Sequence, residues 1–400
     1  GVCSVVPGSA AVLLQGHVLA ADDELVNGQV LVGADGRSAC TACDCSAAPE
    51  FASATRVLCP QGVVSPGLID LTDLQNFTQN APYPATSERY ENREDWRTGR
   101  NGHTRILTPG GASTAQQRIG ALRALFAGTT SIGAGSTIDV PLVRKLDRAA
   151  DATALGESQL QLDTFPFGAT FDPRVGNCAY TTLPSPTAGR TYLPTLGEGL
   201  DAQARNEWLC ASGSELPGAV EVVSNRPVRG VVAPLAADVE RMRTLGTTWV
   251  GAIRSNTALY GFPGALGSLQ NAGVPIALAT VWPVTGSMNL LRELACVDEL
   301  DARNHGNRFS DREQWLMATA NPARALAADD SIGVLAPGRF GDVVVFDARV
   351  RGGYRAVVGA DVPDVVLVLR AGVPLHGDAS VVADLGGGDG ACDVLDMCGR

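Results

Sequence analysis

Between residues 114 and 280 the chain repeats one unit, an amphipathic helix stopped by glycine and followed at once by a short apolar stretch. Residues 114–126 put Ile119, Leu122, Leu125 and Phe126 on one helical face, with Gly128 as the stop and GTTSIGAGS after it. Residues 236–245 repeat the design with Val239, Met242 and Leu245, then Gly246, then GTTWVGAI. Helices and strands that alternate this way bury their apolar faces by laying the helices over a parallel sheet. Two later helices carry start signals: Ser287 stands ahead of Leu290, Leu291, Leu294 and Val297, and Ser310 forms a capping box with Glu313 before Trp315 and Leu316. The pattern predicts an α/β fold, a (β/α)8 TIM barrel, over residues 66–330. VRKLDRA at 143–149 reads as one of the barrel helices, and residues 156–200 do not resolve into individual strands.

Both ends of the chain have a different texture. VLLQGHVLA at 12–20, NGQVLVGADG at 27–36 and ATRVLCPQGVVSPG at 54–67 are short β segments broken by glycine and aspartate. GRFGDVVVFDA at 338–348 and DVVLVLRAGVPL at 364–375 return to it. The expectation is a small β-sandwich lobe built from both termini, residues 1–65 and 331–385, followed by a tail at 386–400.

Composition excludes some functions. The formal charge of -11 repels a polyanion, so nucleic acid is not an expected partner. No apolar run approaches the ~18 residues of a membrane-spanning helix. Ten cysteines in local groups (Cys40, Cys43, Cys45 and Cys59; Cys178 and Cys210; Cys392 and Cys398; with Cys3 and Cys296 apart) favour disulfides and an exported, periplasmic or extracellular protein. Read as a thiolate metal site, C-x2-C-x-C at Cys40–Cys45 lacks a second pair at matching spacing. The Cys392–Cys398 pair reads as a staple of the tail.

Five stretches carry a family resemblance. VVSPGLID at 63–70 looks like the entry into the first barrel strand of the metal-dependent amidohydrolases, and IGVLAPGRFGDVVVFD at 332–347 resembles the return of that superfamily to its small lobe. RSNTALYG at 254–261, AGVPIALAT at 272–280 and GSMNLLREL at 286–294 resemble the imidazolonepropionase and triazine-hydrolase branch. The resemblance implies hydrolysis of non-peptide C–N bonds in cyclic amides and amidines, by water activated on zinc or iron.

Such a site needs several His, Asp or Glu ligands around one ion, starting with an H-x-H pair on the first strand, where side chains at i and i+2 face the same way. The resemblance places that pair at Thr72 and Leu74, the strand-five and strand-six histidines at Thr195 and Arg229, and the last-strand aspartate at Val281. None is a ligand for zinc or iron. The expectation is therefore a degenerate member with no metal or other cofactor, inactive, that keeps a pocket for a small molecule; an oligomer is compatible with the sequence.

An active hydrolase with a rebuilt carboxylate site is the alternative, drawing on Asp70, Asp73, Glu94, Asp95, Glu198, Glu207 or His103. The four histidines, His17, His103, His305 and His376, are scattered, and His103 alone follows the charged segment SERYENREDWRTGRNG at 87–102, expected over the barrel mouth. The plain reading of that segment is a solvated lid with internal ion pairs. The sharper one makes Arg93, Trp96 and Arg97 parts of a pocket for an anionic or planar ligand. Candidate pocket residues are Asp73, Arg93, Glu94, Trp96, His103, Arg254 and Asn256.

Overall fold

The computed structural model describes residues 1–20, 22–136, 142–148, 155 and 159–387. The paired cysteines Cys392 and Cys398 of the expected tail staple lie outside the described residues.

Strands from both ends of the chain share one sheet. The N-terminal strands are β1 (Ser4–Val6), β2 (Ser9–Leu19), β3 (Glu24–Val32), β4 (Ser38–Ala42) and β5 (Ala54–Pro66). The middle of the chain supplies β6 (Leu68–Asp70), β7 (Thr129–Ile132), β8 (Arg144–Lys145), β9 (Gln159–Asp163), β10 (Arg190–Leu196), β11 (Pro227–Gly230), β12 (Thr248–Gly251) and β13 (Ile276–Leu278). The last three are β14 (Val343–Asp347), β15 (Val365–Arg370) and β16 (Val373–Gly377). The terminal sheet runs β16-β15-β14-β5-β2-β3-β4, with β1 on β5. The antiparallel pairing of β14 on β5 joins the two ends, from Val343 opposite Pro66 to Asp347 opposite Gly62.

The middle strands form a three-stranded sheet, β6-β7-β8, and a five-stranded one, β9 to β13, all parallel. Backbone bonds span both gaps between them. Leu160 N–H donates to the Leu146 carbonyl at 2.7 Å, and Val281 N–H donates to Thr72 while Leu74 N–H donates to Val281, each at 2.7 Å. The second gap is also held by Asp70, whose Oδ2 accepts from the Thr280 hydroxyl at 2.6 Å. The arrangement is a TIM-barrel-like α/β fold, and it brings the C-terminal ends of the first and last strands together.

The glycine-stopped helices form as the sequence indicates, with one rotation. Helix α4 (Ala236–Leu245) buries Val239 and Met242 and ends at Gly246 in the left-handed region. Helix α2 (Thr114–Leu125) is capped by Ser113 and Gln116, but Ile119 is 61% exposed. Its buried face is Gln117, Gly120, Ala121, Ala124 and Leu125. The cause is Gly120: a Cβ there would meet the Thr78 hydroxyl at 2.8 Å, so the small-residue face lies against the 75–78 turn and the bulky isoleucine turns outward.

Two further expectations are corrected. Residues 144–145 are a strand where a helix was expected. The text is charged, but Arg144 is buried because its guanidinium bonds both oxygens of Asp342 and lies 4.8 Å from the Phe340 ring. Ser287 does not cap helix α7 (Leu290–Leu300). Asn289 does, accepting from Arg292 N–H at 3.0 Å, because Ser287 is already engaged with Glu293 and Arg254. The capping box of Ser310 and Glu313 opens α8 (Asp311–Leu316) as expected.

Three disulfides form, Cys3–Cys59, Cys40–Cys45 and Cys178–Cys210, which leaves Cys43 and Cys296 as thiols among the described residues. Among those residues no helix is long and apolar enough to cross a membrane.

Candidate functional site

Catalytic groups on a parallel barrel sit at the C-terminal ends of its strands. Here the end of β10 carries Thr195 and that of β11 carries Arg229, and the two are register partners. The Arg229 guanidinium donates twice to the Thr195 hydroxyl oxygen, from Nε at 2.8 Å and from Nη2 at 2.6 Å. Arg229 is 5% exposed, and its second neighbour is Glu198, at 3.9 Å. Burial lowers the pKa of this guanidinium, Glu198 opposes that effect, and Arg93 adds to it.

Across the mouth, Val281 forms a parallel bridge with Asp73. Its φ of 63° lies in the left-handed region, where a β-branched residue is an outlier and asparagine or aspartate is at ease. Thr72 is buried, and its hydroxyl has no hydrogen-bond partner among the described residues. Leu74 packs at the edge of an apolar cluster that includes Leu71, Leu193, Val250, Val281, Trp96 and Trp282.

Helix α1 (Arg93–Thr98) contributes Trp96 to that cluster. It is capped by Asn92, with Asp95 returning the bond, and it buries Arg93, Glu94, Asp95 and Trp96. The Trp96 and Trp282 rings meet edge-on at 5.5 Å, and Phe77 meets Trp282 at 5.6 Å. Trp96 Nε1 donates to the Tyr260 hydroxyl at 3.1 Å, so Trp96 is also pinned to helix α5 (Ile253–Tyr260).

The segment expected as a solvated lid is buried at Tyr90 and over residues 92–96, and exposed at Ser87, Arg89, Glu91 and Thr98. Its ion pairs are only partly internal: Arg93 reaches Glu94 at 3.6 Å and Arg97 takes Glu94 at 2.7 Å, but Arg93 also reaches outside the segment, to Glu207 at 2.8 Å and Glu198 at 3.4 Å. For Arg93, burial acts to lower the pKa, but Glu207, Glu198 and Glu94 outweigh it and the net shift is upward. Burial raises the pKa of Glu207 against the pull of Arg93. Such mutual neutralisation is what lets long charged side chains be buried at all.

No protein-family model matches the chain, and neither does any curated protein. Solved structures do match. An adenosine deaminase from Xanthomonas campestris with bound zinc is 14% identical over 94% of this chain and 96% of its own, with a TM-score of 0.59. A triazine hydrolase variant is 16% identical over 94% and 98%, with a TM-score of 0.61. An atrazine chlorohydrolase from Arthrobacter aurescens TC1 complexed with zinc is 15% identical over 95% and 99%, also at 0.61. This chain shares their fold.

Two of those three solved structures hold zinc. A dication needs imidazole or carboxylate donors converging on one point. Thr72, Leu74, Thr195, Arg229 and Val281 offer two hydroxyls, two aliphatic side chains and a guanidinium, which do not fit such an ion. Among the described residues no three His, Cys, Asp or Glu side chains gather to hold a metal.

The carboxylates named in the sequence are bonded elsewhere. Asp70 accepts from Thr72 N–H and from Thr280, and burial, followed by the neighbouring charge of Asp73, raises its pKa. Asp73 pairs with Arg123 at 2.8 Å. Asp95 accepts from the backbone of Asn92 and from the Asn101 amide. Glu198 and Glu207 flank Arg93.

The remaining candidates lie apart from the mouth network. His103 bonds Glu88 at 3.1 Å and packs on Tyr90. Arg254 is exposed and bonds Ser287, and Asn256 bonds the Pro263 carbonyl. Sequence reasoning did not find Trp282, Tyr260 or Phe77. Trp282 carried a signal as the residue next to Val281, and Tyr260 as part of RSNTALYG.

Proposed function

We propose that the chain is an amidohydrolase-superfamily protein of the triazine-hydrolase-like branch that has lost its metal site and does not hydrolyse C–N bonds. It acts through its scaffold, by binding a small molecule. In this reading residues 66–330 are the barrel unit, 1–65 and 331–385 the lobe and 386–400 a tail, and the disulfides reflect export to an oxidising compartment.

One observation carries the reading: the guanidinium of Arg229 is bonded twice to Thr195 on adjacent strand ends, the two positions that the resemblance would give to metal ligands. A dication within about 5 Å of it would be repelled by roughly 7 kcal/mol at an effective dielectric of 20. The left-handed Val281 supports the reading further, because a backbone suited to aspartate here carries a residue that cannot serve as ligand or base.

The test is turnover. Cyclic amides, amidines and substituted triazines are incubated with purified protein, with and without added zinc, iron or manganese. No turnover is expected in any arm, and hydrolysis that a chelator abolishes would overturn the proposal.

A further inference from the structure

Asn27 and Asn101 each stand directly before a glycine. In that pairing no side chain hinders the following amide nitrogen from reaching the asparagine Cγ, and the glycine backbone turns freely unless the fold holds it. The fold holds one of the two. Gly28 is buried within β3, opposite Gly16 of β2, and a Cβ there would meet Leu25 Cβ at 2.6 Å and Val18 Cγ2 at 3.0 Å. Asn101 and Gly102 are both exposed in the turn after α1, and no atom lies within 4 Å of where a Cβ of Gly102 would stand.

The Asn101 side chain also holds the turn to the helix. Its Nδ2 donates to Oδ1 of Asp95 at 3.0 Å, and Asp95 is 1% exposed. The other oxygen of Asp95 accepts from Asn92 N–H at 2.9 Å, within the capping box of α1. A carboxylate at position 101 would bring no proton for Asp95 and would set a second negative charge against it.

We infer that Asn101 is a site of spontaneous deamidation, and that the modification releases the turn at 99–103 from α1. The Gly102 amide nitrogen, once deprotonated, bonds to Asn101 Cγ; the Cγ–Nδ2 bond breaks and the nitrogen leaves as ammonia. Water then opens the cyclic imide to aspartate or isoaspartate. Asn92 keeps its bond to Asp201 ahead of helix α3 (Ala202–Ala211), so the start of α1 stays anchored while the turn loosens. Asn27 is protected, because Gly28 reorients only by leaving the sheet. None of the strand-end residues takes part.

Peptide mapping by mass spectrometry of the whole protein, incubated for weeks near pH 6 and near pH 8, tests it. A gain of about 1 Da is expected in the peptide that carries Asn101. It should appear at least about five-fold faster than at Asn27, and faster at the higher pH, where more of the attacking amide is deprotonated. Hydrogen exchange across residues 99–103 should rise at least about three-fold in the converted protein and in Asn101→Asp, and the converted wild type decides the matter if the variant does not fold. An intact Asn101, equal conversion at Asn27, or unchanged exchange after conversion would overturn the inference.

Discussion

Glu293 should make the protein less stable as pH rises through neutrality. The side chain is fully buried on α7; Oε1 accepts from Arg254 N–H at the start of α5, and Oε2 accepts from the Ser287 hydroxyl. Burial pushes its pKa up to about 7, against the opposing pull of Ser287, the Arg254 and Ile253 backbone and the Arg254 charge. A carboxyl raised above its unfolded value of 4.5 holds a proton in the folded state that the unfolded chain has released. Its contribution is therefore complete below pH 4.5 and disappears as pH rises through 7. Between pH 5 and 8 the loss is about 2 kcal/mol, at somewhat over 1 kcal/mol per pKa unit. Glu293→Gln stays neutral and removes this dependence, at a pH-independent cost of about 1 kcal/mol for the altered acceptor. Urea unfolding of both proteins at the two pH values isolates the effect: the stability difference should move in favour of the variant by about 2 kcal/mol at the higher pH. A difference that stays constant, or moves the other way, would refute the reasoning.

Other perturbations follow from the same structure. Arg229→Ala strips the guanidinium from Thr195 and Glu198 and should cost about 3 kcal/mol in urea unfolding; an unchanged midpoint would show that the strand ends do not need it. Ala371, at φ 48° before Gly372 in the turn between β15 and β16, should gain about 1 kcal/mol as Ala371→Gly, and a loss would contradict the strain assigned there. Replacing Cys178 and Cys210 together by serine opens a link across 32 positions and should cost about 3 kcal/mol, read as a lower thermal midpoint.

Much of the fold was legible because it is local. Gly128 and Gly246 mark where helices stop and β7 and β12 begin, and both signals lie within a few residues of their effect. What could not be read depends on contacts distant in sequence. Arg144 looks helical until Asp342, 198 positions on, neutralises it. Arg93 looks solvated until Glu198 and Glu207 close around it, and Trp96 is buried where Trp282 and Tyr260 meet it. The outward turn of Ile119 has the same origin, since only the approach of α2 to the 75–78 turn decides which face is covered.

In the proposed function a resident guanidinium, not a metal ion, occupies the strand ends at Thr195 and Arg229. Elemental analysis of the purified protein, after incubation with zinc, iron and manganese and exhaustive dialysis, addresses it directly. The expected metal content is far below one ion per chain, both in wild type and in Arg229→Ala, because no imidazole or carboxylate set is restored. A tightly held equivalent of metal, roughly one per chain and lost when strand-end residues are changed, would contradict the account.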